Sequence, residues 1–373
     1  MGPLKGLKII EIAGIGPGQL AGMLLADMGA NLVRIDRPRD TEADFQIDPR
    51  FDILNRSRPN IGIDLKTKQG AGLVLDLCED ADAIFEGFRP GVMERLGLGP
   101  DECMQRNPKL VYGRMTGWGQ DGPLAKAVGH DPNYIALTGA FAAIGEKGRG
   151  PVYPLNLVGD MGGGGTFLVM GMLAALLEAG KSGQGQVVDA AMVDGAASLM
   201  TMMHGFLAAG MWKEERGTNI LDGGAPFARA YRTLDDKHIV IAPIESRFFK
   251  VLIEKLGLDD MDPADQYRQS QWGMLQQRFE EVFITRTRNE WCELLEGTDA
   301  CFSPVLSMSE STEHAHNKAR DTFVTVDGIK QAAPAPRFSR TPSEISSAAG
   351  SAEPDLHRVL EQWGASKKVL DQL

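Results

Sequence analysis

The chain lacks an excess of basic residues, a patterned set of cysteines and an uninterrupted apolar run of membrane-spanning length. Its 39 Lys and Arg against 50 Asp and Glu leave a net charge of −11 over 373 residues, which argues against nucleic acid as a principal partner because phosphate backbones call for a basic surface. Four cysteines, Cys78, Cys103, Cys292 and Cys301, stand far apart with no Cys-x-x-Cys pair, so zinc and disulfide frameworks give way to reduced, packed thiols. The longest apolar runs, Phe167 to Leu177 and Phe206 to Trp212, are broken by glycine and fall short of a bilayer span, so no membrane partner is expected. Met1 to Gly6 carry no apolar signal region, and Gly6 stands where a myristoylation motif wants Ser or Thr. Val369 to Leu373 match no retention or peroxisomal signal, and the chain reads as cytoplasmic.

Several catalytic signatures are also missing. No Gly-x-Ser-x-Gly elbow occurs, and Gly180-Lys181-Ser182 fails as a phosphate loop because Ala175 occupies the first glycine position. His314-Ala315-His316 has no supporting Cys or carboxylate pattern, so no metal site is expected. Gly14-Ile15-Gly16-Pro17-Gly18 approaches a dinucleotide fingerprint, but Gln19 replaces the third glycine and Pro17 intrudes. These glycines read as a tight turn that lets a helix and a strand pack closely.

What is present is a hydrophobic content of 43%, enough for a large core, and a length that suggests two domains or one elaborated domain. Strand patterns at Leu7 to Ile12, Asn31 to Asp36, Asn60 to Asp64, Ala83 to Glu86, Leu110 to Thr116 and Gly185 to Asp189 alternate with helical ones at Gln19 to Met28 and Gly70 to Glu79. The expected class is α/β, an open, largely parallel, Rossmann-like sheet over residues 1–215. A smaller α+β domain over 216–320 opens after a linker-like stretch, Gly217 to Phe227, and carries a hairpin over Ala230 to Ala242; residues 321–373 return to the large domain. A single long helix is expected over Met192 to Met211, a strand over Phe323 to Gln331 and a helix over Glu353 to Leu373.

Ligands of such sheets bind outside the carboxyl ends of the strands. Arg37, Asp64-Leu65-Lys66 and Phe88-Arg89-Pro90 follow successive strands there, inside and beyond a basic loop that holds Arg37, Arg39, Arg50, Arg56 and Arg58, and a phosphate-bearing ligand is expected. Methionines are dense from Met161 to Met211, as core filler or as an adaptable wall for an apolar chain. Two helix starts flank the middle of the chain: Asp131-Pro132 after His130, and Asp160 before Gly162 to Gly165. Read alone, His130 is either a structural histidine or a base, and Asp160 reads first as a helix cap and only then as an acid.

From Leu4 to about Ser339 the chain resembles the family III CoA-transferase superfamily. The resemblance is carried in order by Leu25-Ala26-Asp27-Met28-Gly29-Ala30, Val33-Arg34-Ile35-Asp36-Arg37-Pro38, Gly91-Val92-Met93-Glu94, Gly117-Trp118-Gly119-Gln120, Gly129-His130-Asp131 with Asn133-Tyr134, Pro154-Leu155-Asn156-Leu157 with Asp160, Asp222 to Phe227, and Gly297 to Cys301. It implies an epimerase of 2-methylacyl-CoA thioesters, with His130 and Asp160 as the acid/base pair and Glu245 supporting His130. It further implies CoA contacts at Arg37, Ile63, Asp64, Leu65, Lys66 and Arg89 and along Gly129, Asp131 and Tyr134. CoA is then part of the substrate, no separate cofactor is needed, and the enzyme is an interlocked homodimer in which Glu245 serves the other copy's His130. Relatives that transfer CoA use the carboxylate matching Asp160 as a nucleophile, and a non-catalytic acyl-CoA-binding protein is the third reading. Ala228 departs from the Tyr that many of these racemases carry after Gly-Gly-Ala-Pro-Phe.

Overall fold

A computed structural model describes residues 2–38, 47–350 and 355–371 of the chain. Arg39, residues 353 and 354 and the last two residues, all included in the expectations above, lie outside the described residues.

Apolar, largely β-branched runs bounded by turn residues form β1 (Lys8–Ile12), β2 (Asn31–Asp36), β3 (Asn60–Gly62), β4 (Ala83–Glu86), β5 (Val111–Thr116) and β6 (Val187–Ala191). All neighbouring pairs are parallel, in the order β3-β2-β1-β4-β5-β6. Side chains alternate between the faces, so Ile9, Leu32, Ala83 and Phe85 enter one layer while Ile10, Val33 and Ile84 enter the other. The first layer is closed by α1 (Pro17–Asp27) and the helix Thr166–Ser182, the second by α2 (Lys68–Asp80) and the helix Leu356–Trp363. Both faces are thereby covered, as a parallel sheet requires. Strand order reverses between β1 and β4, the place where connections leave a parallel sheet in opposite directions and open a crevice beyond the carboxyl ends.

By its internal contacts the chain forms two units: the described residues of Met1–Thr138, Leu155–Met200 and Lys318–Leu373, and those of Gly139–Pro154 and Thr201–Asn317. The second unit has an antiparallel sheet of β7 (Arg229–Arg232), β8 (His238–Ile241) and β9 (Phe302–Pro304). Its core is aromatic, with Phe227, Phe249, Phe279 and Phe283 fully buried.

Tertiary structure overturns several local expectations. The long helix over Met192 to Met211 is two helices, Met192–Leu199 and Thr201–Ala208, because Met200 closes the first with N–H bonds to Ala197 and Ser198. Phe323 to Gln331 folds as a hairpin of Phe323–Val326 and Ile329–Ala332 around a turn at Asp327 and Gly328, both at positive φ. The linker-like stretch from Gly217 is a tied loop: the Asp222 carboxylate accepts N–H bonds from Gly217, Asn219 and Gly224. The basic loop contributes struts to the interior, since Arg56 Nη2 lies 2.6 Å from Asp27 and Arg58 Nε 2.6 Å from Glu11. Those two cations are spent on the fold and are withdrawn from any ligand.

The apolar run centred on Phe167 to Leu177 is longer than it reads. A π-helical segment, Leu157–Gly165, continues directly into Thr166–Ser182, giving 26 residues long and apolar enough by composition to cross a membrane. In this fold Leu168 and Met172 of that helix are fully buried against the sheet. Gly162 to Gly165 are accordingly interior to a helix. A Cβ on Gly163 would lie 2.7 Å from Ala196 N, and one on Gly165 2.7 Å from Pro17 O, so the glycines form a packing seam. From the opposite side, a Cβ on Gly195 would meet Gly163 O at 1.9 Å. Gly195→Ala is therefore expected to lose about 1–3 kcal/mol in urea unfolding through forced repacking. Gly180→Ala, inside a helix with nothing within 4 Å of the new methyl, is the comparison, expected to gain up to about 1 kcal/mol.

Candidate functional site

The crevice at the strand-order reversal is a cavity of about 430 Å³, walled by the turns that leave three neighbouring strands. Gly14 to Gly18 follow β1, Gly87 to Pro90 follow β4, and Gly117 and Trp118 follow β5. His130, Tyr134 and Asp160 complete it.

His130 arrives on the exposed loop before the helix Asp131–Leu137 and holds its N-cap position, so the cap is one residue earlier than expected. Its backbone N–H is taken by Asn133 Oδ1 at 2.9 Å, and Pro132 starts the helix without an N–H to satisfy. Asp160 is likewise no cap. Asn156 holds that position, and Asp160 sits in the first turn of the helical run, half-buried, accepting from Asn156 Nδ2 at 3.2 Å. Burial raises its pKa above the ordinary carboxyl range; the Asn156 bond opposes this, the Asp131 charge adds to it, and His130 opposes it. The turn after β1 makes room, since a Cβ on Gly16 would lie 3.1 Å from Asp160 Oδ2.

Tyr134 shapes the loop from within. Its hydroxyl donates to Gly129 O and its ring stands edge-on to Trp118 at 4.8 Å between centroids. A Cβ on Gly117 would lie 2.0 Å from that ring, and one on Gly129 2.7 Å, so both positions need glycine. Behind the β4 turn, Glu86 Oε2 accepts the Phe88 N–H at 2.6 Å and Oε1 accepts Arg114 Nε at 3.2 Å, which holds the strand end that presents Arg89. Burial pushes the Glu86 carboxyl up to about 7 in spite of both donors.

Of the residues singled out from sequence, His130, Asp160, Arg89, Gly129 and Tyr134 line this one cavity. Arg37 is exposed after β2, and Asp64 and Lys66 are exposed after β3. They do not line it, but because the strands are parallel they stand on the same carboxyl edge of the sheet. Ile63 is buried in the core and Leu65 packs against it, so their side chains are turned from any ligand. Asp131 is buried as well. Glu245 belongs to the second unit, exposed at the N-cap position of the helix Ser246–Leu256. Of the methionines from Met161 to Met211, Met192 lines the cavity, beside Met115 from β5, while Met172 is in the core and Met170 on the surface. Trp118 and Gly16 were not marked as site residues; a Gly-Trp-Gly turn after one strand and a Gly-Pro-Gly turn after another were their only signals. Among the described residues no group of three or more His, Cys, Asp or Glu is placed to hold a metal ion, and His314 pairs with Glu296 at 2.9 Å.

Comparison with known proteins identifies the family of the chain. The α-methylacyl-CoA racemase of Mus musculus is 41% identical over 374 residues, covering 99% of this chain and 96% of that protein. The Homo sapiens protein of the same name is 39% identical over 377 residues, with 99% and 96% covered. Among solved structures, Rv3272 from Mycobacterium tuberculosis superposes with a TM-score of 0.78 at 27% identity, covering 94% of this chain and 97% of that one. With the family model matching residues 4–355, the chain belongs to CoA-transferase family III.

Proposed function

We propose that this protein is an isomerase that inverts the α-carbon of 2-methylacyl-CoA thioesters by 1,1-proton transfer. The observation that carries the reading is the convergence of His130 and Asp160 on one cavity at the carboxyl end of the sheet. A proton beside a thioester carbonyl is weakly acidic, so its removal needs a positioned base and donors for the enolate oxygen. His130 takes the proton from one epimer, and protonated Asp160 returns one to the opposite face. The reverse reaction begins with the Asp160 carboxylate and the His130 imidazolium. Because the Asp160 pKa is raised, its acid form persists to higher pH than that of an ordinary carboxyl, and the direction that starts at His130 fails once pH rises past that value.

A helix start at Gly162 to Gly165 would offer open N–H groups to the enolate oxygen, but the structure has none there. Gly163 to Gly165 are buried within a helix, whereas the turn at His130 and Asp131 adjoins the cavity; the His130 N–H is already held by Asn133 Oδ1, so the Asp131 N–H takes that role. Arg89, Arg37 and Lys66 receive the CoA phosphates along the sheet edge, with Asp64 and the backbone of Ile63, Leu65, Gly129, Asp131 and Tyr134 completing the contact. CoA is part of the substrate, and the proton transfers as written use no further cofactor. Met115 and Met192, which line the cavity, contact the acyl chain.

The enzyme works as a homodimer in which Glu245 of a second copy orients His130. Met170 at 57% exposure and Leu177 at 70% on the helix Thr166–Ser182 support a partner surface. Free thiols at Cys78, Cys103, Cys292 and Cys301 accord with a reducing, cytoplasmic setting.

Incubating one 2-methylacyl-CoA epimer in deuterated water tests the reaction. The expected result is α-deuterium together with the other epimer. Absence of deuterium while CoA passes to a free carboxylic acid makes Asp160 a nucleophile and the protein a transferase. Tight thioester binding without turnover, unchanged in His130→Ala and Asp160→Ala, makes it a binding protein.

A further inference from the structure

Asp131 carries a carboxylate, only 2% exposed, that the proton transfers above do not use. It directly follows His130 and opens the helix Asp131–Leu137. Its Oδ2 accepts two backbone N–H bonds from a distant part of the chain, Gly159 at 2.8 Å and Asp160 at 2.8 Å. Its Oδ1 is buried with no hydrogen-bond partner. Gly159 is itself fitted to this approach, since a Cβ there would lie 2.5 Å from Oδ2 and 2.9 Å from Cγ.

We propose that Asp131 is a positioning residue: one carboxylate oxygen ties the His130 turn to the backbone of Asp160 and so holds the two proton-transfer groups at a set spacing. The proposal rests on the racemase reading for the roles of His130 and Asp160. Each tied group is a chain neighbour of, or identical with, a reacting residue, so the bridge spans the reaction centre with no flexible segment between. Charge-assisted bonds to first-turn N–H groups are strong and short, and the helix start favours the negative charge. A purely apolar contact at this place would set no such register.

The same carboxylate acts on Asp160 electrostatically. The charged or titratable groups facing Asp160 are Asp131, His130 and Tyr134, with Asn156 donating to it. α1 and the helix Met192–Leu199 pack on the same helical run through Pro17, Gly195 and Ala196, and Asp194 of the latter points to solvent. Asp131 therefore both fixes where Asp160 stands and favours its protonated form.

Two variants separate these effects. Asp131→Asn keeps an oxygen able to accept both N–H groups but removes the charge. Gly159→Ala keeps the charge but drives the two segments apart. In Asp131→Asn the 13C carboxyl titration of Asp160, assigned with Asp160→Asn, is expected to move to lower pH. The basic limb of α-deuterium exchange from the epimer that His130 deprotonates should move with it. In Gly159→Ala, kcat is expected to fall about 100-fold, the scale of an ångström of misplacement, while thioester affinity is retained. A purely structural tie would lower stability and leave the Asp160 titration where it was. An unchanged kcat in Gly159→Ala that binds thioester normally overturns the positioning role, and an unchanged titration in Asp131→Asn overturns the electrostatic effect on Asp160. The titration is read on the free enzyme, so it decides the role of Asp131 even if the wild type shows no α-exchange, an outcome that counts against the racemase reading alone.

Discussion

Asp160→Asn is expected to lose epimer inversion by about 100- to 10,000-fold, the range of a positioned acid or base, while the fold and thioester binding persist. The asparagine keeps the shape and can stay beside Asn156, but it has no proton to return. His130 still faces one α-proton, so slow exchange on that face survives for one epimer without inversion. His130→Gln is expected to do the converse, sparing residual exchange only from the epimer whose proton faces Asp160. Mass spectrometry of α-deuterium, read beside chiral separation of the epimers, distinguishes the two. Equal residual exchange from both epimers in either variant would show that the two residues do not work on opposite faces. The mirror-image pattern is the signature of a two-base site, and neither a one-base exchange nor an anhydride route through Asp160 produces it.

The second large effect lies in the core of the sheet domain. Arg58 and Glu11 form an ion pair of 2.6 Å with side chains 0% and 1% exposed. Arg58→Ala leaves the buried Glu11 carboxylate with only the longer Arg34 contact to balance it, and is expected to destabilise the protein by about 3–5 kcal/mol. Glu11 also holds Arg34 Nε at 3.3 Å, and Arg34 keeps Asp36 at 2.6 Å, so Glu11→Ala leaves one cation partnered and one bare. Gly22 of α1 is what admits the pair, because a Cβ there would lie 2.3 Å from Glu11 Oε2. Replacing both partners, as in Glu11→Leu with Arg58→Met, should recover most of the loss, since an apolar pair of similar volume carries no desolvation cost. Guanidinium unfolding of the single and double variants is the measurement. A loss below about 1 kcal/mol for Arg58→Ala would mean the pair behaves as a solvated surface bridge.

Much of the sheet is legible in the sequence for a simple reason. A strand buried on both faces is a short, nearly continuous apolar run, and Asn31–Asp36 and Ala83–Glu86 occupy the residues their patterns mark. The hairpin at β7 and β8 is likewise announced by its turn, Leu234 to Lys237. Glycine is where local reading fails. Four consecutive glycines look like a helix start with open N–H groups, yet Gly163 to Gly165 lie inside a helix against Pro17, Met192 and Ala196. A missing side chain serves a turn, a ligand or a close backbone approach equally well, and only the neighbour decides which.

Arginine shows the same division. Arg37, Arg56, Arg58 and Arg89 all follow or precede strands in polar surroundings, yet two are buried against Asp27 and Glu11 while Arg89 opens onto the cavity. The partner carboxylates lie far away in sequence, and no local pattern contains them. His130 and Asp160 were singled out because ordered matches along the chain resemble one family; as isolated residues they had bland alternatives. The Asp131 bridge had no signal at all, because it depends on a bond between residues 131 and 159 that exists only when two helix starts meet.

By itself, then, the sequence determined the strands of the parallel sheet, their alternation with helices and the chemistry available at their ends, since periodicity and turn residues act over a few neighbours. Which glycines line a seam, which arginines face a ligand and which carboxylate ties two helix starts together were decided by tertiary contacts, because each depends on a partner distant in the chain.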